Sequence, residues 1–274
     1  MSLGQLGGGV LGGYLGAAIG PKKTILVGCL PTGLGWLLIG LAPHMSLLIL
    51  GRLASGFGGT FLTANCALLI TQYSSPHRRG AFLSFFTLMM SIGILVAYCI
   101  GAIVYWRVLT AVPIALTLLF TGGLCRIPES PIWLLGHCGR DAAREALTWL
   151  RGAKASAKVE LELEDLLQTQ ENQNRGLSLK EALLNFRRPD IWRPILLALT
   201  NTILVMLTGP FVIVFYAVDI FREAGASSRG AEHVATISMG AVRVVAGVAA
   251  IFIIKQFPRL AVAFLRQLHT SLLF

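Results

Sequence analysis

Arg243 stands in the middle of an apolar run, Val234 to Ile254. An unpaired cation at the centre of a membrane span costs at least about 3 kcal/mol on insertion scales. Two arrangements relieve that cost: contact with an anionic or polar solute in a cavity, or pairing with helix-end carbonyls or a neighbouring helix. A second cation, Arg52, follows Gly51 in a Gly-rich apolar stretch, where a structural duty is expected. A third group is the run Arg126-Ile-Pro-Glu-Ser-Pro-Ile-Trp-Leu-Leu135, in which Glu129 is the first carboxylate of the chain. These residue types suit solute recognition and charge pairing rather than bond cleavage. No nucleophile and base pattern is present, and the Gly-rich runs lie inside apolar segments instead of between a strand and a helix, which excludes a phosphate loop. His44, His77, His137, His233 and His269 fall in loops or tails. Cys29, Cys66, Cys99, Cys125 and Cys138 are scattered, with neither a disulfide framework nor a metal spacing. No metal and no cofactor are expected.

The elements that hold these residues must be membrane helices. The 274 residues are 55% hydrophobic and 13% charged, and the mean hydropathy is +0.71, outside the range of soluble domains. Crossing roughly 30 Å of hydrocarbon takes about 20 apolar residues as a helix, and lipid offers no partners to a backbone in any other open form. The pattern predicts seven spans, at about Leu3 to Gly20, Thr24 to Leu41, Ser46 to Thr71, Ala81 to Val104, Arg107 to Cys125, Pro194 to Ala217 and Val234 to Ile254. In the first, Gly4, Gly8, Gly12, Gly16 and Gly20 recur every four residues, a stripe that lets a neighbouring helix approach closely in lipid. Gly51, Ser55 and Gly59 form a second stripe.

Charge is confined. Between Arg126 and Arg193 lie 21 of the 36 Lys, Arg, Asp and Glu residues, 11 basic and 10 acidic, and none of the 128 residues before Glu129 is acidic. The short connections hold the remaining basic excess, including Lys22, Lys23, Arg78 and Arg79. The positive-inside rule therefore puts the central loop in the cytoplasm, and it explains the net charge of +10 without nucleic acid as a partner. Within that loop, Asp141 to Leu150 and Val159 to Gln168 read as short amphipathic helices, and Ser178-Leu-Lys-Glu181 as a capping box. The expected organisation is 1–125 as an amino-terminal bundle of about five spans, 126–193 as a cytoplasmic loop with short helices, 194–254 as two further spans, and 255–274 as a cytoplasmic tail. The start of the chain, which enters an apolar run at once, and its final 20 residues read as truncation.

The Pro-Glu-Ser-Pro core with its Trp-Leu-Leu tail, Gly139-Arg140, and Ala146-Leu-Thr-Trp-Leu-Arg-Gly152 together resemble the sugar porter family of the major facilitator superfamily at the junction of its sixth helix and central loop. Gly51-Arg52, Ser75-Pro76 with Arg79-Gly80, and Gly20-Pro-Lys-Lys23 fall in register with the same family. The resemblance implies an all-α, polytopic fold of two six-helix bundles, of which this chain covers helices two to eight. It implies a solute bound near the midplane between bundles that rock for alternating access, with a small polar molecule and the lipid bilayer as partners and no enzymatic activity.

Residue by residue, the resemblance assigns a cytoplasmic gate to Gln72, Arg78, Arg79 and Glu129, and a solute site to Thr87, Gly209, Phe211, Tyr216 and Arg243. Departures from the family pattern are informative. Ala17 and Ala18 replace the acidic and basic residues of the first cytoplasmic latch, Gln72 replaces a Glu, and Ile132 an Arg. Val205 and Met206 stand where the family has two amides, and Thr87 where it has another. A buried solute hydroxyl left without its partner costs roughly 1 to 3 kcal/mol, so the sugar or polyol differs from glucose, a disaccharide such as trehalose being one candidate, or the chain no longer transports. No carboxylate is expected within a span, which favours facilitated diffusion over proton coupling, and Asp219 and Glu223 are expected at a rim. A seven-span receptor is the other class consistent with the span count. It is disfavoured because the acidic-Arg-aromatic triplet, the Asn-Pro-x-x-Tyr motif and the extracellular cysteine pair are absent. A plasma-membrane location is expected.

Overall fold

The computed structural model describes residues 2–75, 78–152, 156–174, 192, 196–197, 199–200, 202–204, 207, 209–223 and 230–256. Its elements are helices α1 (Ser2–Ile19), α2 (Pro21–Leu41), α3 (Met45–Tyr73), α4 (Arg79–Ile103), α5 (Trp106–Leu109), α6 (Ala111–Cys125), α7 (Pro131–His137), α8 (Arg140–Arg151), α9 (Ser156–Asn174), α10 (Pro210–Glu223) and α11 (Ala231–Gln256). The fold is all-α, with no strand among the described residues. Among the described residues, four segments are long and apolar enough to cross a membrane: Pro21–Leu41, Met45–Tyr73, Arg79–Ile103 and Trp106–Cys125.

Several boundaries differ from the sequence expectation for identifiable reasons. The second span starts at Pro21 instead of Thr24, because Gly20 turns the chain at φ 96° and the proline ring is already set for the first helical position. Lys22 and Lys23 are therefore helical, and one residue separates α1 from α2. The fifth span is divided into α5 and α6 at Thr110. Helix α7 follows the Pro-Glu-Ser-Pro turn; Ser130 caps it by accepting from the Trp133 N–H, with Pro131 at its first position. The sixth expected span is helical at its described residues before Gly209, is interrupted at Gly209, and continues as α10 to Glu223, six residues beyond the expected end. Val205, Met206 and the Ser178 capping box lie outside the described residues.

The helices form two compact units, residues 1–83 with 104–172, and residues 84–103 with 173–274. Most of α4 thus belongs with α10 and α11, whereas the sequence grouped it with the first bundle. In the first unit α3 is the axis. The α1 stripe meets it in a ladder: a Cβ on Gly4, Gly8, Gly12 or Gly16 would collide with Leu53, Phe57, Phe61 and Asn65 respectively, each step advancing four residues on both helices. Asn65 donates from Nδ2 to the Gly12 carbonyl at 3.3 Å and the Phe61 carbonyl at 3.0 Å. Gly28 and Gly35 of α2 face Gly58 and Gly51, so α2 and α3 also meet backbone to backbone. Ile25, Cys29, Leu69 and Leu124 fill the space between α2, α3 and α6. Arg52 places its guanidinium 5.9 Å from the Trp36 ring centroid, a contact between α3 and α2 that fits its structural duty.

A separate small core supports the charged segment. Leu135, Ala143, Leu147, Val159 and Leu163 from α7, α8 and α9 are buried together. Around it, Arg140 and Arg144 both reach Glu160, and Arg151 grips Glu162 in a two-pronged pair at 2.9 and 2.8 Å. That pair raises the Arg151 guanidinium above its ordinary pKa, chiefly through the hydrogen bonds, with burial acting in the opposite direction.

Candidate functional site

Glu129 organises one end of the first unit. Its Oε1 accepts from the backbone N–H of Lys22 at 2.9 Å and of Ser130 at 3.0 Å, and its Oε2 accepts from Lys23 N–H at 3.2 Å. The first N–H groups of a helix have no intrahelical acceptor, and the helix dipole favours an anion there. Gly20, the residue preceding α2, has no side chain with which to cap it. Glu129 thus caps α2 from 107 positions away. The glycine is required, because a Cβ at position 20 would lie 2.7 Å from Oε2.

The same turn fastens two more helices. Trp133 donates from Nε1 to the Ala17 carbonyl at 2.9 Å, and Lys23 Nζ lies 5.5 Å from the Trp133 ring centroid. Tyr73, the last residue of α3, donates its hydroxyl proton to the Pro128 carbonyl, while Arg151 donates to the Tyr73 carbonyl at 3.0 Å. The ends of α1 and α3 and the start of α2 are all bound to the segment 128–133. The Ala17 carbonyl is used where the family pattern places a charged side chain.

The sequence-derived gate is only partly assembled. Glu129 is buried at 9% exposure and spends its oxygens on backbone donors, not on arginines. Arg78 is exposed; Arg79 reaches the Ser74 carbonyl from Nε at 3.4 Å. Neither makes an ion pair among the described residues. Glu129 is thus a helix cap, and it forms no pair with an arginine among the described residues. Gln72 is drawn inward, with its Oε1 buried and no hydrogen-bond partner among the described residues.

The residues expected to contact a solute fall in the second unit. Thr87 lies on α4, Gly209 immediately before α10, Phe211 and Tyr216 on α10, and Arg243 on α11. The chain is irregular just before α10 and again within it. Gly209 has φ 71°, a left-handed conformation natural to glycine, and Tyr216 leaves helical geometry at φ −110°, ψ 15°. Tyr216 is 58% exposed at this kink. Tyr98 of α4, three turns along from Thr87, donates to the Val214 carbonyl of the kinked stretch at 2.8 Å.

Gly240 and Gly247 of α11 set that helix closely against α4, facing Leu95 with Tyr98 and Leu88 respectively. Arg243 is three residues after the first glycine and four before the second, hence on the same helix face. It makes no hydrogen bond or ion pair among the described residues. Tyr98 is the residue that sequence reasoning missed. Its signal was available: a phenol on a membrane helix needs a polar partner. Asp219 and Glu223 fall inside α10, exposed, with Asp219 3.6 Å from Arg222.

Residues 1–265 match the family described as sugar (and other) transporter. The chain belongs to that family. It is 32% identical over 259 residues to the facilitated trehalose transporter Tret1 of Culex quinquefasciatus, covering 94% of this chain and 49% of that protein. It is also 32% identical over 248 residues to sugar transporter ERD6-like 6 of Arabidopsis thaliana, covering 89% and 49%. Across the curated relatives compared, this sugar transporter family member spans between 27% and 52% of their length. Among solved structures, the proton:xylose symporter XylE with bound 6-bromo-6-deoxy-D-glucose matches with TM-score 0.79 at 22% identity, covering 94% of this chain and 58% of that one. The partially occluded, inward-open form of XylE from E. coli gives 0.73 at 20%, covering 93% and 61%. These matches establish the major facilitator fold, and membership of the family makes the chain a multi-pass membrane protein.

Proposed function

We propose that this protein moves a sugar or a related polar solute across the plasma membrane by alternating access, without proton coupling. The observation that carries the proposal is the interrupted α10: a helix entered at left-handed Gly209 and broken at Tyr216. Irregular backbone is tolerated at membrane depth where it lines a cavity, and discontinuous helices build the solute sites of transporters. In this reading Thr87, Phe211, Tyr216 and Arg243 contact the solute and Gly209 permits the bend. Gln72, Arg78, Arg79 and Glu129 serve the cytoplasmic gate. The relatives named as trehalose transporters support a disaccharide, and Arg243 supplies donors for clustered hydroxyls.

The test is uptake of radiolabelled trehalose, glucose and xylose by the reconstituted full-length protein, with and without a pH gradient. Saturable entry that reaches the same plateau in both conditions is expected. A gradient-dependent plateau above equilibrium would refute facilitated diffusion, and no entry of any of the three sugars would refute transport of this class. One second reading is favoured by specific residues. Val205 and Met206 in place of amides, with Ala17 and Ala18 in the latch, support a family member that no longer transports.

A further inference from the structure

Beside the foot of α6 lies a groove of about 370 Å³ that the transport reading does not use. Its floor is Arg126, Ile127 and Pro128, the first residues after the end of α6, and its far wall is α8, through Glu145, Ala146 and Trp149. All of these belong to the first unit. The volume falls in the range of small-ligand sites.

Three features of the lining determine what fits. Arg126 and Glu145 face the groove as exposed charges, yet they pair neither with each other nor with any other described residue. Trp149 is 58% exposed, with its indole free of any hydrogen-bond partner among the described residues. The groove therefore presents a cation, an anion and an aromatic face within one small volume. This is complementary to a zwitterion: a phosphodiester on the guanidinium, and an ammonium between the carboxylate and the indole.

Position narrows the ligand further. Arg126 directly follows the apolar segment Trp106–Cys125, so the groove lies at the level where a span leaves hydrocarbon. On the helix face running down to it are Leu119, Gly122 and Gly123, all exposed, and a Cβ on either glycine would meet nothing within 4 Å. Acyl chains can lie along that face while the headgroup occupies the groove. An exposed Trp at this level belongs to the interfacial aromatic belt.

We infer that the groove between α6 and α8 binds the headgroup of a zwitterionic phospholipid, its phosphate on Arg126 and its ammonium on Glu145 and Trp149. On the basic-loop rule this lipid belongs to the cytoplasmic leaflet. The site pins the amphipathic α8 to the membrane surface at the place where Arg151, from the end of the same helix, holds the last residue of α3.

Native mass spectrometry of the full chain in detergent tests this, with dioleoyl phosphatidylethanolamine, dioleoyl phosphatidylglycerol and soluble glycerophosphoethanolamine as probes. One phosphatidylethanolamine is expected to remain bound, with affinity lowered about tenfold by Arg126→Gln and by Glu145→Gln, the loss typical of one charged hydrogen bond. Phosphatidylglycerol, which lacks the ammonium, is expected to bind more weakly and to be indifferent to Glu145→Gln. Asp141→Asn, a charge removed from α8 outside the groove, leaves phosphatidylethanolamine binding intact. All three substituted positions are exposed, and unchanged helical ellipticity checks the fold of each variant. Equal retention of phosphatidylethanolamine by the parent, Arg126→Gln and Glu145→Gln would overturn the assignment. So would soluble glycerophosphoethanolamine binding as tightly as the lipid, since the site would then take a free phosphodiester.

Discussion

Glu129→Gln and Glu129→Ala dissect the cap on α2. The carboxylate accepts three backbone N–H bonds, two on Oε1 and one on Oε2. Glutamine retains one acceptor oxygen, so it can keep the Lys22 and Ser130 bonds while its amide nitrogen faces the Lys23 N–H. The loss is one hydrogen bond, about 1 kcal/mol, plus the anion at the helix N-terminus, another 0.3 to 1 kcal/mol, roughly 2 kcal/mol together. Alanine removes all three bonds, and the charge-assisted ones are worth roughly 1.5 to 3 kcal/mol each before solvent partly replaces them, so a net loss of about 4 kcal/mol is expected. At 2 to 4 °C per kcal/mol, melting of the detergent-solubilised protein followed by Trp fluorescence should fall by about 5 °C for Gln and about 12 °C for Ala. The order parent, Gln, Ala is the signature of a carboxylate cap. A melting temperature for Glu129→Ala within a degree of the parent would refute the reasoning, because the N–H groups of α2 would then be satisfied without it.

Other substitutions probe separate parts of the account. Gly8→Ala drives a Cβ into the Phe57 carbonyl and is expected to cost about 1 to 3 kcal/mol, whereas Gly13→Ala, whose Cβ meets nothing within 4 Å, should be neutral or slightly stabilising; equal melting of the two would contradict the α1–α3 ladder. Arg151→Lys keeps the charge but loses the two-pronged grip on Glu162 and the bond to the Tyr73 carbonyl, so thermal stability should drop by about 1 kcal/mol, and an unchanged melt would argue against that contact. Gln72→Leu removes a buried amide oxygen that already lacks a partner, hence a change between zero and a gain of about 1 kcal/mol is predicted; a clear loss of stability would mean that the amide is engaged.

Much of the framework was legible because periodicity and composition are local. The four-residue glycine stripe foretold close approach in lipid, and α1 meets α3 rung by rung along it. The amphipathic segments from Asp141 and Val159 became α8 and α9, paired across Glu160 and Glu162. What escaped the sequence depends on partners distant in the chain. Glu129 is adjacent to a proline turn in sequence, and nothing local says that its acceptors face the start of α2 rather than Arg78 or Arg79. The kink at Tyr216 has no proline or glycine at that position to announce it, and Tyr98 acquires its meaning only when the Val214 carbonyl is placed opposite. The grouping of α4 with α10 and α11 likewise follows from Gly240 and Gly247, small residues whose partner helix no periodicity identifies.

The most direct test of transport through the face formed by α4, α10 and α11 is sugar counterflow. Proteoliposomes of the full-length protein are loaded with unlabelled trehalose and diluted into labelled trehalose, for the parent and for Arg243→Ala. A transient overshoot of label is expected in the parent and a rate at least about tenfold lower in the variant, from loss of one charged hydrogen bond to the solute. Equal overshoot in parent and variant would contradict the assignment of Arg243, and its absence in both, with glucose and xylose also inert, would contradict sugar transport by this protein.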